Sequence, residues 1–257
     1  MEKNDTMPDS KKRFTDRVAD YVKYRPNYPV AIIEFMKNKG MTQSSVFADV
    51  GSGTGLLTKL FLENGNKVYG VEPNKKMREA GETYLSNFNN FVSITGSSEE
   101  TSLPNSSVDF ITAGQAYHWF SQEPTKKEFK RILKKSNHYN VFLIWNERTD
   151  TTSFNRDLEQ FIRKFSNDYL QVSHSQDEKK KQNLFFNEEF SKESFANKQV
   201  LSFEALKGRL LSSSYMLQKS DPRYQQFENE LQALFDKHKK DNVVELLYRT
   251  EVYYGKL

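Results

Sequence analysis

The chain has 257 residues, with 38 Lys and Arg against 34 Asp and Glu and a formal net charge of +4. Lysines cluster at 179–181 and at 237–240, where a solvated helical face is the simpler interpretation. Basic residues interleaved with exposed aromatics are not evident, so no nucleic-acid partner is expected. The chain has no cysteine and only four histidines, which excludes disulfides, thiolate zinc sites and cysteine nucleophiles.

The histidines form no H-E-x-x-H motif, and the sequence therefore predicts no metal site. The first residues are polar, and no run approaches the roughly 20 apolar residues that a membrane-spanning helix needs. We expect a cytoplasmic protein without a membrane partner, whose oligomeric state stays open.

The N-terminal 45 residues have a helical pattern. A polar tail precedes apolar residues at helical spacing between Phe14 and Val22. The prolines of the segment Tyr24–Pro29 end that helix, because each disfavours helix in the residue before it. A second helix is predicted near Val30–Asn38.

Strands and helices alternate regularly from residue 46 onward. Strands are predicted at 46–50, 67–72, 91–95, 108–113 and 139–145, with helices near 54–64, 74–86 and 124–134. Short apolar strands alternating with helices indicate a parallel sheet that is covered on both faces.

The pattern changes after residue 150. In chain order, we predict an amphipathic helix at Phe154–Phe165, a polar insertion or cap at 166–190, a strand at Ser194–Ser202, a helix at Phe203–Leu211, a long helix after Pro222 and a terminal strand at 243–254. We interpret the chain as a single domain, 1–257, with an N-terminal part at 1–45, a core at 46–147 and an embellished C-terminal half at 148–257.

The central motif is the segment from Asp49 to Gly55, where three glycines occupy every second position after an apolar strand. An amphipathic helical pattern follows at once. Glycine permits unusual backbone angles and lets a ligand lie against the main chain. In open α/β sheets, a turn of this kind lies at the carboxyl end of a strand, where ligands bind.

The spacing of this motif limits the class of ligand that it can bind. No Gly-Lys-Ser/Thr follows the turn, so the phosphate-binding loop of nucleoside triphosphatases is absent. Leu56 replaces the last glycine of the dinucleotide fingerprint. Glu72 ends the next predicted strand about 20 positions after Gly51, where an acid can accept hydrogen bonds from ribose hydroxyls. An adenosine-bearing ligand without phosphates fits these observations.

These motifs resemble those of class I S-adenosylmethionine-dependent methyltransferases. The resemblance lies in Asp49–Gly55 and Val71–Asn74, and it covers most of the chain. Gly96–Glu99 and Val108–Phe110 are similar to the methyltransferase type 11 branch. The run Ala113–Phe120 resembles a subgroup that includes relatives similar to trans-aconitate methyltransferases.

The resemblance implies an α/β fold, a Rossmann-like three-layer sandwich. Its seven-stranded, mostly parallel sheet would end in an antiparallel C-terminal strand, with a helical N-terminal lid and a C-terminal embellishment. It implies a transferase that moves a methyl group from S-adenosyl-L-methionine to a small-molecule acceptor by in-line displacement, releasing S-adenosyl-L-homocysteine. Two alternatives are a cofactor-binding protein without turnover and a nicotinamide-dependent oxidoreductase.

The resemblance also implies a set of cofactor-binding residues. Glu72 would hold the ribose, Met77 the adenine, and Gln115 would lie near the sulfonium. Asp49 would face the ammonium group of the methionine part, or would instead cap the turn. The complete set is Asp49, Gly51, Ser52, Gly53, Glu72, Pro73, Asn74, Met77, Ser97, Ser98, Glu99 and Gln115.

The acceptor side is less defined. His118 is the candidate general base, with acceptor contact or a structural role as alternatives. The candidate acceptor or lid residues are Tyr21, Tyr24, Arg25, Tyr117 and Trp119. As alternatives, Tyr21 and Tyr24 would pack against the sheet, Arg25 would pair with a surface acid, and Tyr117 and Trp119 would lie in the core. We interpret Arg209 as an exposed helix charge, with contact to an anionic acceptor as the alternative.

Overall fold

A sheet of seven strands organises the residues that the computed structural model describes, which are 23–167, 186, 190–213 and 215–257. In chain order, the strands are β1 Val46–Val50, β2 Lys67–Val71, β3 Phe91–Ile94, β4 Phe110–Gly114, β5 Val141–Arg148, β6 Phe190–Leu201 and β7 Val244–Gly255.

Helices surround this sheet. They are α1 Ala31–Lys37, α2 Leu56–Glu63, α3 Lys75–Tyr84, α4 Gln122–Ile132, α5 Ser153–Phe165, α6 Phe203–Leu211 and α7 Tyr224–His238, with a 3₁₀ turn at Tyr117–Trp119. Three helices have an N-cap side chain that accepts a hydrogen bond from a backbone N–H of the first turn. These caps are Asn74 before α3, Thr152 before α5 and Ser202 before α6. Such caps satisfy donors that have no partner inside the helix.

The strand order across the sheet is β3-β2-β1-β4-β5-β7-β6. The first five strands pair in parallel, whereas β7 pairs antiparallel with both β5 and β6. The predicted Rossmann-like sheet with an antiparallel C-terminal strand is confirmed. The strand order reverses between β1 and β4, which is where open α/β sheets bind ligands.

Alternate residues of the central strands serve opposite faces of the sheet. Phe47 of β1 packs against α2, and its ring centroid lies 4.4 Å from that of Phe61. Ala48 and Val50 belong to the core on the other face, together with Phe129 of α4. Burial on both faces explains why β1 is an almost continuous apolar run.

A third core lies under the C-terminal half. It joins α5, α6 and α7 to β7, and Phe227 at its centre is fully buried. The ring of Phe227 lies 5.3 Å from that of Phe161 and 5.6 Å from that of Phe165. The C-terminal elements therefore have an apolar core distinct from the two on the faces of the sheet.

Three strand starts differ by two or more residues from their predicted positions. β5 starts at Val141 instead of residue 139. β4 starts at Phe110 instead of residue 108, because Val108 pairs only as an isolated bridge with Leu133. β6 starts at Phe190 instead of Ser194. The residues that follow Phe190 are polar and typical of a loop, but they pair with the end of β7.

Parts of the prediction lie outside the described residues. These are the helix at Phe14–Val22, which includes Tyr21, and most of the polar segment 166–190. Within the described ranges, every helix is too short or too polar to cross a bilayer.

We expect Phe227→Ala to lower the free energy of unfolding by about 3–5 kcal/mol, because it leaves a cavity in the third core. Urea denaturation followed by circular dichroism measures this change. Val200→Ala is the control, since Val200 is 54% exposed, and it should change stability by less than about 0.5 kcal/mol. Equal effects of the two substitutions would contradict a packed third core.

Candidate active site

The glycine turn after β1 has a left-handed backbone. Gly51, Gly53 and Gly55 have φ angles of 69°, 56° and 84°, which side chains other than glycine rarely tolerate. A Cβ atom on Gly51 would lie 2.5 Å from the Cβ of Ala116. The turn therefore brings bare backbone to the edge of the sheet between β1 and β4.

Glu72 follows β2 and is 8% exposed. One carboxylate oxygen accepts the N–H of Gly53 at 2.9 Å, and the other accepts the N–H of Asn74 at 2.8 Å. Burial raises the pKa of the Glu72 carboxyl, and these two N–H bonds oppose that rise. Each oxygen keeps a further lone pair with which to accept a ligand hydroxyl.

A cavity of about 250 Å³ opens beside the glycine turn. Its walls come from the ends of β1, β2 and β4, from α3 and from the loop after β3. The lining residues are Gly51, Gly53, Glu72, Pro73, Asn74, Met77, Ser97, Ser98, Glu99, Gly114, Gln115, Ala116, Trp119 and Phe120. Ten of the twelve predicted cofactor-binding residues are thus together at one cavity; Asp49 and Ser52 are the exceptions.

The wall on the α3 side is partly apolar. Met77 is 6% exposed and lies on the first turns of α3. The side chain of Asn74 accepts the N–H of Met77 at 3.2 Å, so it caps the helix that carries Met77. A flexible thioether beside a polar rim suits contact with a flat heterocycle.

The loop after β3 supplies polar groups to the same cavity. Glu99 accepts the backbone N–H of Ser121 at 2.9 Å. Burial opposes ionisation of this carboxyl, but that bond and the hydroxyls of Ser97 and Ser98 lower its pKa below the ordinary value. Glu99 therefore presents a carboxylate, a hydrogen-bond acceptor, at the cavity wall.

Gln115 follows β4 with a φ angle of 56°. Its backbone N–H donates to the Ile144 carbonyl at 2.9 Å, and its side-chain amide donates to the Asn146 carbonyl at 3.0 Å. These bonds hold a strained residue at the end of the sheet, beside β5. The amide oxygen of Gln115 is left to accept from a ligand.

Asp49 lies behind the glycine turn, 1% exposed. Its two carboxylate oxygens accept the hydroxyls of Thr58 at 2.6 Å and Thr112 at 3.0 Å. This geometry favours the structural alternative, in which Asp49 ties α2 and β4 to the turn. Ser52 also lies off the cavity, with its hydroxyl toward Gly70 of β2.

The three aromatic residues of the 3₁₀ turn occupy different places. Tyr117 is 2% exposed and packs edge-on against Trp145, so it lies in the core, as its predicted alternative had it. Burial raises the pKa of the Tyr117 phenol above its ordinary value. Trp119 lines the cavity, whereas His118 lies outside the lining with its ring 4.7 Å from that of Trp119. A role for His118 as base stays a prediction.

The described lid candidates on the N-terminal segment, Tyr24 and Arg25, do not line this cavity. The backbone carbonyl of Tyr24 accepts the side-chain amide of Gln199 at 2.9 Å, and its ring packs beside Gly208 of α6. Arg25 donates to the Ser212 carbonyl at 3.0 Å. Both residues therefore contact the C-terminal half, and a lid role for them stays a prediction.

Sequence reasoning missed four residues near the cavity. Gly114, Ala116 and Phe120 line it, within the run Ala113–Phe120 that carries the resemblance. A Cβ on Gly114 would lie 2.5 Å from the Tyr28 hydroxyl. The glycine at the end of β4 could have indicated this close approach, but no pattern around Tyr28 indicates its long-range neighbour.

The interpretation of Arg209 as an exposed charge is wrong. Arg209 is 5% exposed and lies on the face of α6 that packs against β7. Its Nε donates to the Tyr248 hydroxyl at 3.1 Å. The residue was misplaced because the helical pattern of Phe203–Leu211 does not show which tertiary neighbours cover the arginine.

Known proteins resemble this chain mainly in the part that builds the cavity. The family model of the methyltransferase domain matches residues 48–139, from the middle of β1 to the residues before β5. The predicted resemblance to S-adenosylmethionine-dependent methyltransferases is confirmed over this part of the chain.

Curated relatives are also named as methyltransferases. An uncharacterised methyltransferase-like protein of Schizosaccharomyces pombe is 28% identical over 159 residues, which are 61% of this chain and 60% of that protein. An uncharacterised methyltransferase of Mycobacterium bovis is 30% identical over 149 residues, 58% of each chain. The chain thus spans less than two thirds of the length of these relatives.

Solved structures share the fold. A candidate type II methyltransferase from Anaeromyxobacter dehalogenans has a TM-score of 0.67 at 14% identity, covering 91% of this chain and 98% of the other. A candidate methyltransferase from an antibiotic biosynthesis pathway of Anabaena variabilis has a TM-score of 0.56 at 19% identity, with the same coverage. At this identity, the likeness describes the fold.

The burial of Asp49 predicts a pH dependence of stability. Burial raises the pKa of its carboxyl from 3.8 to about 7, against the opposing hydrogen bonds from Thr58 and Thr112. The folded chain therefore holds this proton to higher pH than the unfolded chain. The contribution of Asp49 to stability falls as the pH rises between those two values.

We expect Asp49→Asn to remove this dependence. The free energy of unfolding of the variant minus that of the wild type should increase from about pH 4.5 to about pH 7.5, measured by urea denaturation. Asp150→Asn, at an exposed position, is the control and should give a flat difference. A flat difference for Asp49→Asn would mean that the carboxyl is ionised in the folded chain throughout.

Proposed function

We propose that the protein is an S-adenosyl-L-methionine-dependent methyltransferase that acts on a small-molecule acceptor. The observation that carries this proposal is the carboxylate of Glu72 beside the bare backbone of Gly51 and Gly53 at one cavity. A ribose needs paired acceptors, and an amino-acid tail needs close approach to the main chain. Both are present within one turn.

Each part of this cofactor has a suitable partner among the residues that line the cavity. Glu72 would hold the ribose hydroxyls, and Met77 would contact the adenine. Ser98 and Glu99 would meet the polar edge of the adenine, and Gln115 would orient the methionine part. The glycines would leave room for that part, because side chains at Gly51 and Gly53 would approach Ala116 and Met77.

When bound, S-adenosyl-L-methionine supplies a methyl group on a positively charged sulfur, a good leaving group. The residues of the chain then need mainly to align the acceptor with the methyl group and to exclude water. Trp119 and Phe120 contribute apolar walls to the cavity and can do both. An acceptor that is protonated at the outset would also need a base, for which His118 is the candidate.

The competing proposal is a protein that binds the cofactor without turnover. It predicts affinity for S-adenosyl-L-homocysteine but no methylated product from any acceptor. Radiolabelled methyl transfer from S-adenosyl-L-methionine into a panel of small acids, amines and phenols separates the two proposals. A labelled small molecule supports the methyltransferase; binding without product from an extensive panel supports the competitor.

We expect Glu72→Gln to weaken the binding of S-adenosyl-L-homocysteine roughly 10- to 100-fold, measured by isothermal titration calorimetry. The reason is the loss of a charged acceptor, which typically costs about 1.5–3 kcal/mol. Glu79→Gln, at an exposed position of α3, is the matched control and should bind like the wild type.

A thermal melt of each variant separates loss of the ligand contact from loss of the turn. Unchanged affinity in a folded Glu72→Gln variant would place the ribose elsewhere. No binding by the folded wild type at high micromolar ligand would overturn the proposed cofactor.

A further inference from the structure

Three arginines from three separate elements surround one tyrosine in the C-terminal half. They are Arg25 before α1, Arg148 at the end of β5 and Arg209 on α6. Each lowers the pKa of Tyr215 through its positive charge. We call Arg25, Arg148, Arg209 and Tyr215 the arginine cluster.

Direct bonds hold the cluster together. Arg148 donates from Nη1 to the Tyr215 hydroxyl at 3.2 Å and from Nη2 to the Glu159 carboxylate at 3.1 Å. Arg25 donates to the carbonyl of Ser212, which directly follows α6. The cluster is thus built by β5, α5, α6 and the N-terminal segment, which meet only in the folded chain.

Arg209 is the most buried cation of the cluster. Its Nε donates to the Tyr248 hydroxyl and its Nη1 to the Ser213 hydroxyl, both at 3.1 Å. Among the described residues, no carboxylate pairs with Arg209, and its Nη2 has no acceptor. Burying a guanidinium among neutral hydroxyls is costly unless an anion compensates it.

Three positive charges, those of Arg25, Arg148 and Arg209, act on the Tyr215 phenol. Arg148 also pairs with the Glu159 carboxylate, which in turn pairs with Arg163. Burial by itself would raise the pKa of the Tyr215 phenol, but the three arginines outweigh it and lower the pKa to about 7. The cluster is therefore an environment that stabilises negative charge.

The cluster lies at the same edge of the sheet as the cavity. Gln115, in the cavity wall, bonds to the carbonyl of Asn146, and Arg148 lies two residues further along β5, roughly 7 Å. On the N-terminal segment, Arg25 lies three residues before Tyr28, whose hydroxyl approaches Gly114 in the cavity wall. An acceptor bound at the cavity is thus within reach of the cluster.

We propose that the arginine cluster binds an oxyanion, a carboxylate or phosphate group, of the methyl acceptor. This inference rests on the proposed function in one respect, because only that function makes the anion part of a methyl acceptor. The anion site itself does not depend on it. Guanidinium groups bind such oxyanions by paired, charge-assisted hydrogen bonds. Arg209 bonds to described residues through Nε and Nη1, so Nη2 is the donor that it offers to the anion. The cluster acts in positioning; the atom that receives the methyl group is not assigned by it.

The test measures the binding of succinate and of inorganic phosphate to the full chain by calorimetry, with neutral succinamide as the third ligand. We expect one or both anions to bind the wild type and succinamide not to bind. Arg209→Met should weaken the anion at least 10-fold, whereas Arg156→Met, at an exposed position, should leave it unchanged. Preference for succinate or for phosphate distinguishes a carboxylate from a phosphate acceptor.

A second variant keeps the proposal testable if Arg209→Met does not fold. At pH above about 7, ionised Tyr215 should compete with the bound anion, so succinate should bind more weakly at about pH 8 than at about pH 6. The other described groups that face the phenol are the three arginines, with Glu159 paired to Arg148. Tyr215→Phe should bind succinate with less dependence on pH.

Binding of S-adenosyl-L-homocysteine is measured on the same samples, so the two proposals can fail separately. Anion binding that is absent, or that is equal in the wild type and in folded Arg209→Met, overturns the anion site while the cofactor site stands. Loss of cofactor binding with anion binding intact overturns the proposed function and leaves the anion site.

Discussion

The hydrogen bond from the Gly53 N–H to the Glu72 carboxylate is the contact on which the candidate site depends. It joins the turn after β1 to the end of β2, so two neighbouring parallel strands end in one fixed geometry. The turn has a left-handed backbone at three glycines, and Glu72 stabilises it from its position directly after β2. The same carboxylate lines the cavity, so the side chain that fixes the turn is also the one proposed to hold the ribose.

A second buried carboxylate has a different task. Asp49 directs both oxygens to threonine hydroxyls of α2 and β4, whereas Glu72 accepts from backbone N–H groups at the cavity. The difference in partners explains the difference in use. Asp49 fastens the helix and strand on either side of the turn, and Glu72 keeps lone pairs toward a ligand. In the proposed function, Asp49 therefore supports the turn and Glu72 recognises the ligand.

The C-terminal half adds a feature that the parallel sheet does not contain. Its own apolar core positions α6 against β7, and this packing buries Arg209 next to Tyr248. Because β7 lies beside β5, the buried arginine comes close to Arg148 at the carboxyl end of the sheet. The proposed cofactor site and the proposed anion site thus lie at one edge of the sheet. The first is held by the cores on the faces of the sheet, and the second by the core of the C-terminal half.

Local patterns in the sequence determined the strand and helix order, the glycine turn and most of the cavity wall, because period, glycine spacing and strand ends are properties of neighbouring residues. Only the tertiary structure decided that Trp119 lines the cavity while adjacent Tyr117 lies in the core. It also decided the burial of Arg209 and the structural place of Asp49. These depend on Tyr248, Thr58 and Thr112, residues brought close by folding, and burial and charge are set by such spatial neighbours rather than by adjacent sequence.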